Sequence, residues 1–146
     1  MYFGKDGSSP IPRPRRRLAS DKSRTILIAE DEPAVLDLLA MILEMEGYSV
    51  LKARHGEEAL LFSREFPGDI HLLMTDYRMK PDMNGLELSR RMRRERPGIR
   101  ILFVSGFVGD DALLPELEAS GSRFMHKPFL PKALLENVRL ALEAAD

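Results

Sequence analysis

The stretch Thr25-Ile26-Leu27-Ile28-Ala29-Glu30-Asp31-Glu32-Pro33 decides the fold predicted for this chain. Its first five residues form a continuous apolar and β-branched run, which is typical of a strand buried on both faces of a parallel sheet. Three acidic residues follow, and the proline suits the first position of a helix. A buried strand that ends in acids and leads into a helix predicts the first unit of an α/β fold.

The same alternation continues to the end of the chain. Further strands are predicted at Tyr48–Ala53, Ile70–Thr75, Ile101–Val104 and Arg123–His126. Helices are predicted at Pro33–Glu46, Glu57–Phe66 and Leu86–Arg96, more weakly within Asp110–Ala119, and at Pro131–Ala144. Five strands alternating with five helices predict a parallel sheet covered by helices on both faces.

Length and composition limit the chain to one domain plus a tail. It has 146 residues, of which 44% are hydrophobic and 31% charged, as in ordinary globular proteins. The absence of cysteine excludes disulfide scaffolds, cysteine-ligated metals and cysteine nucleophiles. The three histidines, His55, His71 and His126, are scattered, which argues against a histidine-built metal site.

Charge divides the chain into two parts. Residues 1–24 carry seven Lys or Arg against two acids, whereas residues 25–146 carry fifteen against twenty-one. The first part has few apolar residues, so we expect a disordered basic leader or linker at 1–24 and the folded domain at 25–146. No apolar run reaches the roughly 18 residues of a membrane span, and no secretory signal is evident. The expected location is the cytoplasm.

Polar side chains follow the predicted strands at the points where they end. Glu30 and Asp31 follow the first strand, Asp76 the third, Ser105 ends the fourth, and Lys127 follows the fifth. In parallel α/β sheets such carboxyl ends meet at one edge, where ligands bind. Clustered carboxylates favour a divalent cation, and oxygen ligands favour Mg²⁺. Asp76 is then a candidate nucleophile for a phosphoryl group.

Five short motifs carry a family resemblance. They are Ile26-Leu27-Ile28-Ala29-Glu30-Asp31-Glu32-Pro33, Leu73-Met74-Thr75-Asp76-Tyr77-Arg78-Met79, Met83-Asn84-Gly85, Val104-Ser105-Gly106 and His126-Lys127-Pro128-Phe129. In this order and spacing the chain, over about residues 25–146, resembles the receiver domain of two-component response regulators. The resemblance implies a flavodoxin-like sheet of strand order 2-1-3-4-5 with five helices on its two faces.

The resemblance also implies roles for individual residues. Asp76 would accept a phosphoryl group from a histidine kinase or phosphotransfer protein. Mg²⁺ would bind Glu30, Asp31, Asp76 and the backbone carbonyl of Arg78. Ser105 and Lys127 would contact the phosphoryl oxygens, and Phe124 would be the aromatic residue that changes rotamer and alters an output surface.

The same resemblance sets the expected partners. The domain would be a phosphoacceptor rather than an enzyme, promoting only its own phosphorylation and dephosphorylation. No membrane and no nucleic acid are expected to contact the domain directly, and a dimer of receivers stays an open alternative. The five arginines between Arg90 and Arg96 are interpreted as a solvated helix face.

Two departures keep other functions open. Lys80-Pro81 replaces the proline that the family has directly after the methionine, and Pro115 interrupts the predicted fourth helix. The alternative is therefore a pseudo-receiver that binds proteins without being phosphorylated. A Mg²⁺-dependent phosphohydrolase is disfavoured because Arg78 stands where its second acid is expected. Nucleotide-binding folds are disfavoured because no glycine-rich signature follows the first strand.

Overall fold

The computed structural model describes residues 24–79, 83–106, 115, 119 and 121–143. The strands are β1 (Thr25–Ala29), β2 (Ser49–Ala53), β3 (Leu72–Asp76), β4 (Arg100–Ser105) and β5 (Arg123–His126). The helices are α1 (Pro33–Glu46), α2 (Gly56–Glu65), α3 (Gly85–Glu95) and α4 (Pro131–Glu143). Each end lies within two residues of its predicted position.

The structure has four helices within the described residues, where the sequence predicted five in the whole chain. The difference concerns the weak prediction within Asp110–Ala119, which falls largely outside the described residues. Pro115 and Ala119 are helical, so a helical backbone at these two positions agrees with the prediction. Among the helices of the described ranges, none has the length and apolar content needed to cross a membrane.

The five strands form one parallel sheet in the order β2-β1-β3-β4-β5, which confirms the predicted flavodoxin-like topology. Register brings the carboxyl ends of the strands together at one edge. Ala29 pairs with Ala53, Asp76 with Val104, and Ser105 with His126. The polar residues that end the strands or follow them therefore share this edge.

Both faces of the sheet are covered, which explains why β1 has no polar residue among its central positions. Leu27 and Ala29 belong to a core that includes residues of α2 and α3. Ile26 and Ile28 belong to a second core with residues of α1 and α4. Since alternate side chains of a strand point to opposite faces, a strand between two helical layers needs an apolar residue at every position.

Gly47 ends α1 for a conformational reason. Its φ of 110° lies in the left-handed region, which glycine enters without the steric cost that a Cβ brings. The Gly47 N–H donates to the Glu44 carbonyl (3.0 Å), and the Tyr48 N–H donates to the Leu43 carbonyl (3.1 Å). These bonds satisfy carbonyls at the helix end and turn the chain toward β2.

Arg96 joins the carboxyl ends of α2 and α3 at the edge of the sheet opposite to the strands' carboxyl ends. Its guanidinium donates to Ser63 Oγ (2.9 Å) and to the carbonyls of Ser63 (2.8 Å), Phe66 (3.0 Å) and Gly68 (2.9 Å). The planar fork of an arginine can serve four acceptors at once, which a single ammonium cannot do.

Arg96→Lys is therefore expected to lower the free energy of unfolding by about 2 kcal/mol, since several carbonyls lose a charged donor. Urea unfolding followed by circular dichroism measures the effect. Arg94→Lys, two residues away on an exposed part of α3, is the matched control and should change stability by less than about 0.5 kcal/mol. Equal stability of the two variants would contradict the anchoring role.

Candidate functional site

The predicted site residues meet at the carboxyl edge of the sheet. Glu30 directly follows β1, Asp76 ends β3, Ser105 ends β4, and Lys127 directly follows β5. Glu30, Asp76 and Ser105 are buried, although each is polar. Buried polar groups are costly unless they are paired, so their partners reveal how the site works.

Lys127 is the centre of the site. Its Nζ lies 2.9 Å from Glu30 Oε1 and 3.1 Å from Asp76 Oδ2, forming two ion pairs. The Lys127 N–H donates to the Ser105 carbonyl (2.8 Å), which continues the pairing of β5 with β4 and fixes the start of the side chain. One ammonium thus bridges residues 97 and 51 positions away in the chain.

Asp31 completes a cluster of three carboxylates. One carboxylate oxygen each from Glu30, Asp31 and Asp76 lies within 4.8 Å of the others. Asp31 is exposed, whereas Glu30 and Asp76 are buried, so the cluster opens toward solvent on one side. Three hard oxygen donors at an open position can hold a hard divalent cation that keeps some of its waters.

Burial sets the protonation behaviour of the cluster. Burial raises the pKa of both Glu30 and Asp76, and it outweighs the opposing effect of the nearby Lys127 ammonium. Burial alone would lower the pKa of Lys127, but its bonds to the two carboxylates outweigh this and raise that pKa. Among the described residues, the two buried carboxylates share one ammonium, so acidic groups outnumber basic ones in this part of the site.

The loop after β3 holds Asp76 through backbone contacts. The Arg78 N–H donates to Asp76 Oδ1 (3.2 Å), and Thr75 Oγ1 donates to the Asp76 carbonyl (3.0 Å). The Arg78 side chain is exposed. The Gly85 N–H donates to the Tyr77 carbonyl (2.8 Å), which brings the start of α3 against the end of β3. Lys80 and Pro81 lie outside the described residues.

Gly85 was recognised only as part of a motif, and its steric role was missed. A Cβ at Gly85 would lie 2.3 Å from the Asp76 carbonyl oxygen and 3.1 Å from Tyr77 Cα. Both neighbours are backbone atoms, which cannot move aside as a flexible side chain can. The sequence signal, Asn84 followed by glycine, indicates a helix start and does not reveal this contact.

Phe124 and His126 form an aromatic pair beside Ser105. Their ring centroids lie 4.9 Å apart at an interplanar angle of 70°. Phe124 is partly buried against the core that includes Phe103, and His126 is exposed. The sequence predicts Phe124 as a site residue, and its contact with His126 was also predictable, because the strand predicted at Arg123–His126 places alternate residues on one face.

Comparison with known proteins adds to this geometry. The family profile described as "Response regulator receiver domain" matches residues 26–139. The chain belongs to the response regulator receiver domain family. The sensor kinase CckA of Brucella abortus (strain 2308) is 38% identical over 125 residues, which are 85% of this chain and 13% of CckA. The response regulator receiver protein CpdR of the same organism is 35% identical over 123 residues, 84% of this chain and 99% of CpdR.

Solved structures agree with this membership. A CheY-like receiver domain protein from Methanospirillum hungatei JF-1 matches with a TM-score of 0.72 and 32% identity, over 82% of this chain and 94% of that protein. The chain spans about half the length of several other curated relatives. This receiver domain is therefore a module that occurs both as most of a protein, as in CpdR, and as part of longer ones.

Proposed function

We propose that this receiver domain accepts a phosphoryl group on Asp76 from a phosphohistidine of a histidine kinase or phosphotransfer protein. The observation that carries the proposal is the pair of contacts from Lys127 Nζ to Glu30 and Asp76, at 2.9 and 3.1 Å. An ammonium held beside a buried carboxylate is positioned to neutralise charge that develops there during phosphoryl transfer.

The proposed reaction is a displacement at phosphorus. An oxygen of the Asp76 carboxylate forms the new P–O bond, and the P–N bond to the donor histidine breaks. The electron pair of that bond stays on the imidazole nitrogen, which takes up a proton. Lys127 compensates the added negative charge, and Ser105, buried at the end of β4, is the proposed hydroxyl contact for a phosphoryl oxygen.

The carboxylate cluster fits Mg²⁺ as the cofactor. Glu30, Asp31 and Asp76 would hold the ion, with the Arg78 backbone carbonyl as the fourth proposed ligand. When bound, the ion supplies positive charge that offsets the two buried carboxylates and the phosphoryl oxygens. The charge of the site supports this assignment, since among the described residues one ammonium, that of Lys127, pairs with two buried acids.

Phosphorylation is proposed to change the surface near β5. Ser105 and Phe124 lie on neighbouring strands, with Ser105 paired to His126 and Phe103 paired to Phe124. Movement of Ser105 toward new phosphoryl oxygens would alter the space available to the Phe124 ring. The result is a population shift between two surface states, which an output partner can distinguish. The basic residues 1–24 are proposed to be a leader or linker that precedes this domain; its last residue, Arg24, already contacts the fold, since the Arg24 carbonyl accepts from the Ser49 N–H (3.1 Å).

Intact mass after incubation with Mg²⁺ and acetyl phosphate tests the proposal. The wild-type chain is expected to gain one phosphoryl group, and Asp76→Asn is expected to gain none. Asp37→Asn, an exposed carboxylate on α1, is the matched control and should be phosphorylated like the wild type. Absence of phosphorylation in the wild type would favour the pseudo-receiver that binds partners without phosphorylation.

Mg²⁺ affinity is expected to fall as the pH is lowered. Burial raises the pKa of Glu30 and Asp76, and a bound cation requires both as carboxylates, so protons compete with the ion. For each carboxyl group that must lose a proton to bind the ion, the Mg²⁺ affinity falls about tenfold for every pH unit below the raised pKa of that group. Titration of the unfolding temperature with Mg²⁺ at several pH values measures this dependence, and a flat profile would contradict it.

Without Mg²⁺, the stability of the fold should change with pH in the opposite direction to the Mg²⁺ affinity. A carboxyl whose pKa is raised by folding binds its proton more tightly in the folded state, so protonation favours the fold. The contribution of Glu30 and Asp76 to the free energy of unfolding is therefore expected to decrease as the pH rises from their ordinary range through their raised values. Asp76→Asn should reduce this dependence in urea unfolding curves measured without Mg²⁺.

A further inference from the structure

A cavity of about 320 Å³ opens at the amino edge of the sheet, at the opposite end of the strands from the carboxylate cluster. The start of β4 and the residues just before β1, just before β3 and just after α3 form its walls. Its volume lies within the range of sites that bind small molecules. None of its described lining residues belongs to the carboxylate cluster, so it is a separate candidate binding site.

Basic side chains dominate the charge of this cavity. Among its described lining residues, the permanently charged groups are those of Arg24, Arg96, Arg100 and Asp69. Three guanidiniums and one carboxylate give these four groups a net formal charge of +2. The arginines precede β1, follow α3 and begin β4, so packing of distant elements brings like charges together. A cleft lined mainly by charges of one sign attracts ligands of the opposite sign, in this case anions.

His71 adds a hydrogen-bond donor to the cavity. The Thr25 N–H donates to His71 Nδ1 (3.0 Å), so the proton of the neutral ring is on Nε2. The His71 N–H donates to the Thr25 carbonyl (2.9 Å), and the His71 carbonyl accepts from the Arg100 N–H (3.1 Å). These bonds hold the residue between β1 and β4 before any ligand binds. The ring can therefore offer a ligand a donor at Nε2 with little cost of ordering.

The protonation of His71 reflects the electrostatic potential of the cavity. Burial lowers the pKa of His71, and the charge of Arg24 lowers it further. Arg100 acts in the same direction, whereas the carboxylate of Asp69 opposes it. The ring is therefore neutral at pH 7, and the surrounding charge is positive. An anion bound beside the ring would offset the arginines and favour protonation of His71.

The chemistry of these groups selects the ligand. Guanidinium groups donate paired hydrogen bonds to phosphate oxygens, and a phosphate monoester carries about two negative charges at neutral pH. We infer that this cavity binds the phosphate group of a small molecule, with Arg24, Arg100 and the His71 Nε2–H as donors. Arg96 supplies positive charge, since its guanidinium already donates to carbonyls at the end of α2. The inference is independent of the proposed function of Asp76, because the two sites share no residue.

Titration of the metal-free protein with phosphate compounds tests the inference. Glycerol phosphate, inorganic phosphate, succinate and sodium chloride are compared at matched ionic strength in ¹H–¹⁵N spectra. Glycerol phosphate is expected to shift the amides of His71, Gly98 and Arg100 saturably. Tighter binding of glycerol phosphate than of inorganic phosphate would assign the site to a phosphate ester, and equal binding would assign it to free phosphate. Shifts that do not saturate, that chloride reproduces, or that succinate produces at lower concentration would overturn the inference.

The ring of His71 gives an independent readout. Saturating glycerol phosphate should raise the pKa of His71 by at least about 0.5, because the negative charge of the ligand offsets that of the arginines. Titration of the ring protons by ¹H NMR, with and without the ligand, measures this change. His55 directly precedes α2 at the other edge of the sheet, and its ring resonances should not respond to the ligand. An unchanged pKa of His71 at saturation would overturn the inference.

Substitutions distinguish this cavity from general attraction to a basic surface. Arg24→Gln is expected to weaken glycerol phosphate about tenfold, because one charged donor is lost. Arg90→Gln removes the same charge from an exposed position on α3 outside the cavity, and this matched control should bind like the wild type. Equal affinities of the two variants would overturn the inference.

Two further measurements guard against loss of the fold. Arg24 also donates to the Leu142 carbonyl (3.4 Å), so urea unfolding is followed in parallel to show that Arg24→Gln is folded. Arg100→Lys keeps the charge and loses the paired donor, and it should weaken glycerol phosphate severalfold. Unchanged affinity in a folded Arg100→Lys variant would contradict the donor role. Phosphorylation of Asp76 by acetyl phosphate should be the same in Arg24→Gln and the wild type, so the two proposals fail separately.

Discussion

Replacing Gly85 with alanine is expected to lower the free energy of unfolding by about 3 kcal/mol. The added Cβ would lie 2.3 Å from the Asp76 carbonyl oxygen, so the start of α3 and the end of β3 must move apart. That movement also strains the 2.8 Å bond from the Gly85 N–H to the Tyr77 carbonyl. Urea unfolding measures the loss of stability.

The same substitution should slow phosphorylation of Asp76 by acetyl phosphate at least about tenfold, since displacement of a reacting group by about 1 Å is costly. Gly98→Ala is the matched control. A Cβ there meets no atom within 4 Å, and Gly98 is not among the described glycines with positive φ. Gly98→Ala should leave stability within about 0.5 kcal/mol of the wild type. Similar losses in both variants would show that the close approach at Gly85 is unimportant.

Replacing Lys127 with methionine is expected to lower the free energy of unfolding by roughly 2 kcal/mol at neutral pH without Mg²⁺. Methionine keeps much of the length of the side chain, but Glu30 and Asp76 lose their shared ammonium. Mg²⁺ should restore part of this stability and bind more tightly than in the wild type, because the competing ammonium is gone. Thermal unfolding with and without Mg²⁺ measures both effects.

Phosphorylation of Lys127→Met should be about a hundredfold slower than that of the wild type, because one preorganised charge is removed from the reacting group. Lys52→Met is the matched control, since Lys52 forms an exposed ion pair with Asp37 at 3.2 Å. It should change stability by less than about 1 kcal/mol and leave phosphorylation unchanged. A Lys127→Met variant as stable as the wild type without Mg²⁺ would contradict the bridging role.

The elements of the fold were predictable because their signals are local. The apolar run of β1 and the proline that begins α1 indicate a buried strand and a helix without reference to distant residues. Gly47 marks the end of α1 because a left-handed residue is needed there. The helix predicted within Asp110–Ala119 has a weaker pattern because Pro115 interrupts it, and most of that segment lies outside the described residues.

The clustering of polar residues at one edge of the sheet was also predictable, because the carboxyl ends of neighbouring parallel strands lie side by side. Glu30, Asp31, Asp76, Ser105 and Lys127 were named on that basis, and the structure brings the first three and Lys127 together. Their chemical roles stay predictions, since geometry shows proximity and not phosphorylation.

The sequence by itself determined the order of elements, the buried strands and the residues that gather at the carboxyl edge. Only the tertiary structure decided how these groups interact. Burial raises the pKa of Glu30 and Asp76, and burial depends on packing from elements far apart in the chain. The close approach of Gly85 to the Asp76 carbonyl likewise depends on how the start of α3 packs against the end of β3. Distances between residues remote in sequence are set by packing, which local patterns of residue type do not encode.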